Sequence, residues 1–195
     1  MDANVDANVA AIILAAGGGR RLGGRPKALL SHSGELLVER AIRTARAGGC
    51  GTVVVVLGAE AAEVQRRANL AGCTVAVNQD WATGMGSSLR AGLAAATPGS
   101  CGAAVILLVD QPFVTPEAVR AVIASGADLA AATYDGRRGH PVLIAARHWP
   151  EASAAAVGDR GARDFLARHE VVAVPCDGSP TDVDVPADLA LLDGA

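Results

Sequence analysis

Ile12-Ile13-Leu14-Ala15-Ala16-Gly17-Gly18-Gly19-Arg20-Arg21-Leu22-Gly23-Gly24-Arg25-Pro26-Lys27 is three things in succession: an apolar run of strand length, a glycine-rich loop and a cluster of cations. Glycine lets backbone approach a ligand closely because no Cβ intervenes. Successive loop N–H groups form a concave anion site. Arg21, Arg25 and Lys27 add mobile positive charge. A bare connecting turn after a strand is the alternative, and three cations within seven residues weigh against it. The stretch reads as a strand feeding a phosphate-binding loop.

Two familiar phosphate loops do not fit. A Walker loop needs G-x-x-x-x-G-K-[ST], whereas Lys27 follows Pro26 and precedes Ala28. The dinucleotide fingerprint G-x-G-x-x-G is met at Gly17 and Gly19 but finds Leu22 at its third glycine. Its acidic residue about 20 positions on is also missing, because the next strand is expected near Val53 to Leu57 and Glu60 lies beyond it.

Outward from this stretch, strands alternate with helices. Strands are expected at 10–15, 52–57, 73–77, 103–109, 128–133, 141–144 and 171–174. Helices are expected at 35–47, 60–70, 87–96 (stopped by Pro98), 115–124 (capped by Thr115), 161–168 and 186–192. The alternation predicts a three-layer α/β/α sandwich, Rossmann-like, with a mostly parallel sheet. Ligands bind such sheets beyond the carboxyl ends of the strands, so residues just after strands carry the functional information.

Bulk properties narrow the class. The 195 residues predict one domain spanning 1–195. Hydrophobic content of 51% against 19% charged is globular. A net charge of −3 and 3% aromatics argue against a nucleic-acid surface or base-stacking platform. No apolar run reaches membrane-spanning length. Residues 1–9 hold Asp2 and Asp6 and no Lys or Arg, which is not a signal peptide; a frayed tail and a cytoplasmic protein are expected. The four cysteines and four histidines are scattered without C-x-x-C or H-x-x-x-H, so no transition-metal site is read from them.

Two further segments follow apolar strands. Asp110-Gln111-Pro112 ends the run Leu107-Leu108-Val109. Asp110 could hold a hard cation such as Mg²⁺, which favours one or two carboxylates plus substrate phosphates, or could cap a turn before Pro112. Asn78-Gln79-Asp80-Trp81-Ala82-Thr83-Gly84-Met85-Gly86-Ser87-Ser88 follows a strand and opens a helix whose free N–H groups suit an anion. Ser87 or Ser88 could alternatively be an ordinary cap.

Together these segments resemble the small-molecule nucleotidyltransferases, whose signature is L-A-A-G-x-G-x-R-x-G followed by Lys. Leu14, Ala15, Ala16, Gly17, Gly19, Arg21, Gly23 and Lys27 match it. The interval from Arg21 to Lys27 is one residue longer than the usual form, so Gly23 and Gly24 compete for one place. Asp110-Gln111-Pro112, Gly84-Met85-Gly86-Ser87-Ser88 and Gly158-Asp159-Arg160-Gly161-Ala162-Arg163 narrow the resemblance to the molybdenum cofactor cytidylyltransferase-like (MobA-type) branch. Asp182-Val183-Asp184-Val185-Pro186-Ala187-Asp188-Leu189 resembles that family's D-I-D-T-P-x-D-L, with Val185 in place of Thr.

The resemblance implies a nucleotide-diphospho-sugar transferase type of fold and a Mg²⁺-dependent transfer of CMP from CTP to a phosphorylated acceptor, molybdopterin. It assigns catalysis to Arg21, Lys27 and Asp110, and metal binding to Asp110 and Asp184; for Asp184 a helix cap is the alternative. Nucleotide contacts fall to Leu14, Ala15, Ala16, Gly17, Gly18, Gly19, Lys27, Asn78, Gly84, Ser87 and Ser88. Acceptor contacts fall to Gln111, Pro112, His140, Asp159 and Arg163; for His140 the pattern alone favours a loop histidine. Nucleoside triphosphate and a phosphorylated acceptor are the expected partners, with a molybdoenzyme maturation partner and without nucleic acid or membrane. Two rivals stand beside this reading: an NAD(P)H-dependent oxidoreductase of the nicotine-blue-reductase type, and a non-catalytic nucleotide-binding regulator.

Overall fold

The computed structural model describes residues 9–96 and 100–193. Pro98 and the tail through residue 8 lie outside these.

The chain opens with β1 (Val9–Ala15), buried along its whole length. After the glycine loop, β2 (Ser31–His32) and β3 (Glu35–Leu36) form a small hairpin. Then come α1 (Leu37–Ala47), β4 (Thr52–Leu57), α2 (Ala61–Arg67), β5 (Thr74–Val77), α3 (Met85–Ala95) and β6 (Ala103–Leu108). The second half holds α4 (Pro116–Ala124), β7 (Leu129–Tyr134), β8 (Arg137–Ala145), α5 (Trp149–Ala155), α6 (Arg163–Leu166), β9 (Val172–Pro175) and α7 (Ala190–Asp193).

Seven strands form one sheet in the order β5-β4-β1-β6-β8-β7-β9. β1 lies between β4 and β6, parallel to both, with Ile12 opposite Val54 on one side and Ile106 on the other. Strands covered on both faces read as continuous apolar runs, which is why 12–15 and 53–57 declare themselves in the sequence. Alternate residues then feed two cores. Ala11, Ile13 and Ala15 pack with Leu37, Val38 and Ile42 of α1 and Val119 and Val122 of α4. Ile12 and Leu14 pack with Leu89 and Leu93 of α3, Trp149 and Ala152 of α5, and Phe165. Helices on both faces give the expected three layers.

β8 is the exception to the parallel rule, running antiparallel to β6 and β7. Its first residues therefore lie at the same sheet edge as the carboxyl ends of β1, β4 and β6.

Several boundaries differ from expectation. The helix expected from 35 begins at Leu37, because Glu35 and Leu36 pair back onto 31–32 around Ser33 and Gly34, both in left-handed backbone. α3 starts at Met85 rather than 87, directly after Gly84. The 141–144 strand extends to 137–145. The helix expected at 161–168 contracts to α6. The closing helix begins as a 3₁₀ turn at Pro186–Leu189. α5 is absent from the sequence reading: its run Glu151-Ala152-Ser153-Ala154-Ala155 has little helical apolar periodicity, although Pro150 suits a first turn.

Thr115 caps α4 as expected, its hydroxyl accepting from Ala118 N at 3.2 Å. Thr115→Ala is expected to cost about 1 kcal/mol, readable as a lower urea midpoint with unchanged slope.

Candidate active site

β1 delivers the chain to the sheet edge at Ala15-Ala16, and the glycines turn it. Gly19 takes φ +58°, and a Cβ there would sit 1.9 Å from the Arg25 carbonyl oxygen, so the loop closes on its own backbone only with glycine. Gly24 N donates to Gly19 O at 3.0 Å. Gly23 and Gly24 both adopt left-handed φ, and these two share the turning role for which the sequence offered a single place. The turn absorbs the extra residue and lets Lys27 reach the site.

The Lys27 ammonium, with a side chain only 13% exposed, lies 2.7 Å from Asp110 Oδ2 and 2.8 Å from Asp184 Oδ1. Arg21 donates to the other oxygen of Asp184. Two cations and two carboxylates, from loops 83 to 163 residues apart in sequence, thus interlock beyond the ends of β1 and β6. Burial pulls the Lys27 pKa down, but the charge and hydrogen bonds of Asp110 and Asp184 outweigh it and raise the pKa above 10.5. The hydrogen bond from Lys27 leads in holding Asp184 below the usual carboxylate value, assisted by Arg21. The raised pKa of Lys27 contributes stability that is full below the unfolded value of about 10.4 and is lost as pH rises through the higher folded value; the lowered pKa of Asp184 contributes stability that is full above about 3.9 and is lost as pH falls through the lower folded value.

Asp184 does not cap the following turn. Asp188 does so, accepting from Asp184 N at 2.8 Å and Val185 N at 2.9 Å. That frees the Asp184 carboxylate for the cluster.

Around it lies a cleft of about 390 Å³ lined by Leu14, Ala16, Gly17, Gly18, Gly19, Gly84, Ser88, Lys27, Asp110 and Asp184. Arg20, Trp81 and Met85 also line it, none of which sequence reasoning singled out. Trp81 offered a faint signal, as one of two tryptophans and in a loop after a strand. Gly84 has φ +116°, and a Cβ there would meet the backbone of Gly158 at 2.4 Å, which locks the Asn78–Ser88 loop to the Gly158–Arg163 segment.

Five residues expected at the ligand turn away from it. Ala15 belongs to the core on the other face of β1. Asn78 is buried and donates to Ser87 Oγ at 2.8 Å and Ser88 Oγ at 3.1 Å, closing its own loop. Ser87 is buried and donates to the carbonyls of Asp80 and Gly84. Pro112 lines neither this cleft nor its neighbour; its carbonyl accepts from Arg40 Nε at 2.7 Å. Arg25 lies outside both clefts as well.

A second cleft, about 610 Å³, shares Leu14, Met85, Leu108 and Asp159 with the first. Gln111, His140, Asp159 and Arg163, the residues the resemblance assigns to the acceptor, line it together over an apolar floor of Leu89, Ile106 and Val142. Arg137, Arg138 and Asp182 are additions; the paired arginines at a hairpin turn were a usable signal. Gln111 donates to Asp182 Oδ1 at 2.8 Å, and its buried Oε1 has no partner among the described residues. Desolvation raises the Asp182 pKa against that hydrogen bond.

His140 is packed closely enough that burial lowers its pKa to about 4; Asp110 opposes this and Arg163 adds to it. With a folded value below the unfolded one near 6.5, the unfolded chain takes up the proton first on acidification. Stability is therefore lost between about pH 6.5 and 4, by about 2 kcal/mol at pH 5. Urea unfolding at pH 7 and pH 5 checks this: His140→Asn should lose less on acidification than the wild type.

The donor set fits Mg²⁺ or Mn²⁺. Asp110 and Asp184 are hard carboxylates converging on one cationic point beside the glycine loop.

Residues 11–173 match the family described as MobA-like NTP transferase domain. A relative named nicotine blue oxidoreductase, from Paenarthrobacter nicotinovorans, is 42% identical over 188 residues, covering 91% of each chain. A crystal structure of the Mycobacterium sp. strain JC1 homologue of Rv0371c superposes with TM-score 0.85 at 30% identity, covering 95% of this chain and 97% of that one. Rv0371c of Mycobacterium tuberculosis, solved in complex with manganese, gives 0.83 at 29% identity over 96% of this chain and all of that one. The same fold recurs in nucleotidyltransferases of lower identity.

Proposed function

The chain belongs to the MobA-like NTP transferase domain family, and from that premise we propose that it transfers CMP from CTP to the phosphate of a molybdopterin-type acceptor. A phosphate oxygen of the acceptor bonds to the α-phosphorus in line, the bond to the bridging oxygen breaks, and pyrophosphate leaves with the electron pair. No protein nucleophile is required; catalysis is positioning and charge neutralisation.

The observation that carries this reading is Lys27 held between Asp110 and Asp184 beside the glycine loop. Gly17 to Gly19 cradle the triphosphate through backbone N–H groups. Lys27 and Arg21 meet the charge that develops on pyrophosphate. Asp110 and Asp184 would hold Mg²⁺ or Mn²⁺, which supplies Lewis-acid stabilisation of the phosphoryl oxygens when bound. Across the shared wall, Gln111, whose buried Oε1 has no partner among the described residues, lines the acceptor-side cleft, and Arg137, Arg138 and Arg163 suit the acceptor's phosphate.

Base choice is expected to depend in part on Ala16, whose Cβ narrows the triphosphate cleft. CTP should be preferred to GTP, and Ala16→Gly should shrink the preference, by no more than about 10–200-fold for one methyl. kcat/KM for both nucleotides in both proteins measures it.

One observation favours a second reading: the 42% identity to a protein named as an oxidoreductase. Against it, Leu22 fills the third fingerprint position with a buried side chain, and Glu60, beyond β4, lies outside the triphosphate cleft. Pyrophosphate release from each nucleoside triphosphate, assayed over a panel of phosphorylated acceptors beside NADPH oxidation without triphosphate, separates the two. NADPH turnover with no pyrophosphate release overturns the transferase reading.

A further inference from the structure

Away from both clefts, His148, Glu151 and His169 present one ligand atom each within 4.8 Å of one another. His148 and Glu151 stand three residues apart, and His169 joins them from beyond α6. His148 ends the turn before α5, Glu151 lies in the first turn of α5, and His169 follows α6.

The hydrogen bonds fix the chemistry of the group. His169 Nδ1 lies 2.8 Å from the Phe165 carbonyl oxygen, which can only accept, so Nδ1 carries the hydrogen. The neutral ring then turns the Nε2 lone pair toward Glu151 Oε2, another acceptor, at 3.2 Å. Two acceptors facing each other call for a positive centre, supplied by a proton or a metal ion. A ligating histidine that donates its other N–H to a backbone carbonyl is the usual supported arrangement, because that bond sets tautomer and ring orientation. The separation also suits a tetrahedral ion, whose ligand atoms stand roughly 3.4 Å apart for Zn–N bonds near 2.1 Å. Phe165, fully buried, packs at 4.3 Å from the His169 ring and 5.9 Å from His148, so both imidazoles rest on a rigid floor. Glu151 stays half exposed, leaving access for the ion and a water as fourth ligand.

We propose that His148, Glu151 and His169 form a binding site for a divalent transition-metal ion of the Zn²⁺ type, separate from the candidate active site. Two histidines and one carboxylate form a known zinc ligand set. The ion ties the start of α5 to the end of α6. Between those ligands runs the Gly158–Arg163 segment, which walls the acceptor-side cleft. Occupancy therefore braces that wall.

The test is calorimetric titration of the chelator-treated full chain with ZnCl₂, with hydrogen exchange of residues 157–163 followed in parallel. Wild type and Asp110→Asn should both show a Zn²⁺ site with the same affinity. His169→Ala should lower that affinity by about 10² or more, and the exposed Glu151→Gln, which leaves the packing intact, by about tenfold or more. Co²⁺ substitution should give visible d–d bands in wild type that His169→Ala removes. Zn²⁺ should slow exchange in 157–163 only when both histidines are present. Undiminished Zn²⁺ affinity in His169→Ala and Glu151→Gln, or binding abolished by Asp110→Asn instead, overturns the site. Binding with unchanged exchange in 157–163 overturns the bracing.

Discussion

Lys27→Ala is expected to lower kcat by about 10² or more, the usual cost of removing one preorganised charge-stabilising donor. The ammonium is largely enclosed and is hydrogen-bonded to both carboxylates. Its raised pKa keeps it charged at every pH at which the protein would be assayed. In the proposed reaction, negative charge moves onto pyrophosphate beside it, so its contribution grows toward the transition state. Arg21 cannot replace it, because its side chain is 72% exposed and screened by water. The Asp184 carboxylate should lose its leading partner and titrate closer to an ordinary aspartate. Steady-state pyrophosphate release gives the answer. A raised KM at normal kcat would mean that Lys27 binds ground and transition states alike, and its catalytic assignment would fall.

Asp110→Asn should be costlier, at about 10³ in turnover, since a metal-stabilised phosphoryl charge is worth several kcal/mol and each factor of ten is about 1.4. The loss of stability should be far smaller than the loss of turnover. Asparagine has the same shape, Asn Oδ1 can still accept from Lys27, and the position's tie to the C-terminal segment, Val183 N donating to Asp110 O at 2.8 Å, is backbone alone. Thermal unfolding near the wild-type midpoint combined with lost turnover is the expected pair of results. Wild type in excess chelator should be equally silent and should recover with Mg²⁺ or Mn²⁺. Full activity in either condition removes Asp110 from the mechanism.

The central strands and the glycine loop were legible because burial on both faces and close backbone approach each leave a compositional mark. Lys27 was legible as a cation but not in its placement, since linear spacing does not reveal that two left-handed glycines take up an extra residue. Asn78 shows a different limit. A polar residue at a strand end can face a ligand or close its own loop, and the sequence is the same in both cases. Asp184 shows the converse: its freedom from capping depends on Asp188 doing that work four residues later. The reversal of β8 left no trace, because apolar alternation carries no direction. The His148–Glu151–His169 group was invisible because its second histidine comes from beyond α6, outside any short motif with the other two.

That reversal has a consequence for how the protein could change over generations. The half proposed to take the triphosphate is built mostly from loops that leave the parallel strands β1, β5 and β6. The other half takes Arg137, Arg138 and His140 from a hairpin at the start of a strand running the opposite way, where Asp135 and Gly136 make the tip. A hairpin tip can vary in length and charge without shifting a single central strand. Drift there retunes what is received while what is donated stays fixed. Libraries confined to 135–140 should therefore yield variants with altered acceptor preference and unaltered triphosphate affinity, a separation that inherited substitutions could have exploited as readily as an engineer.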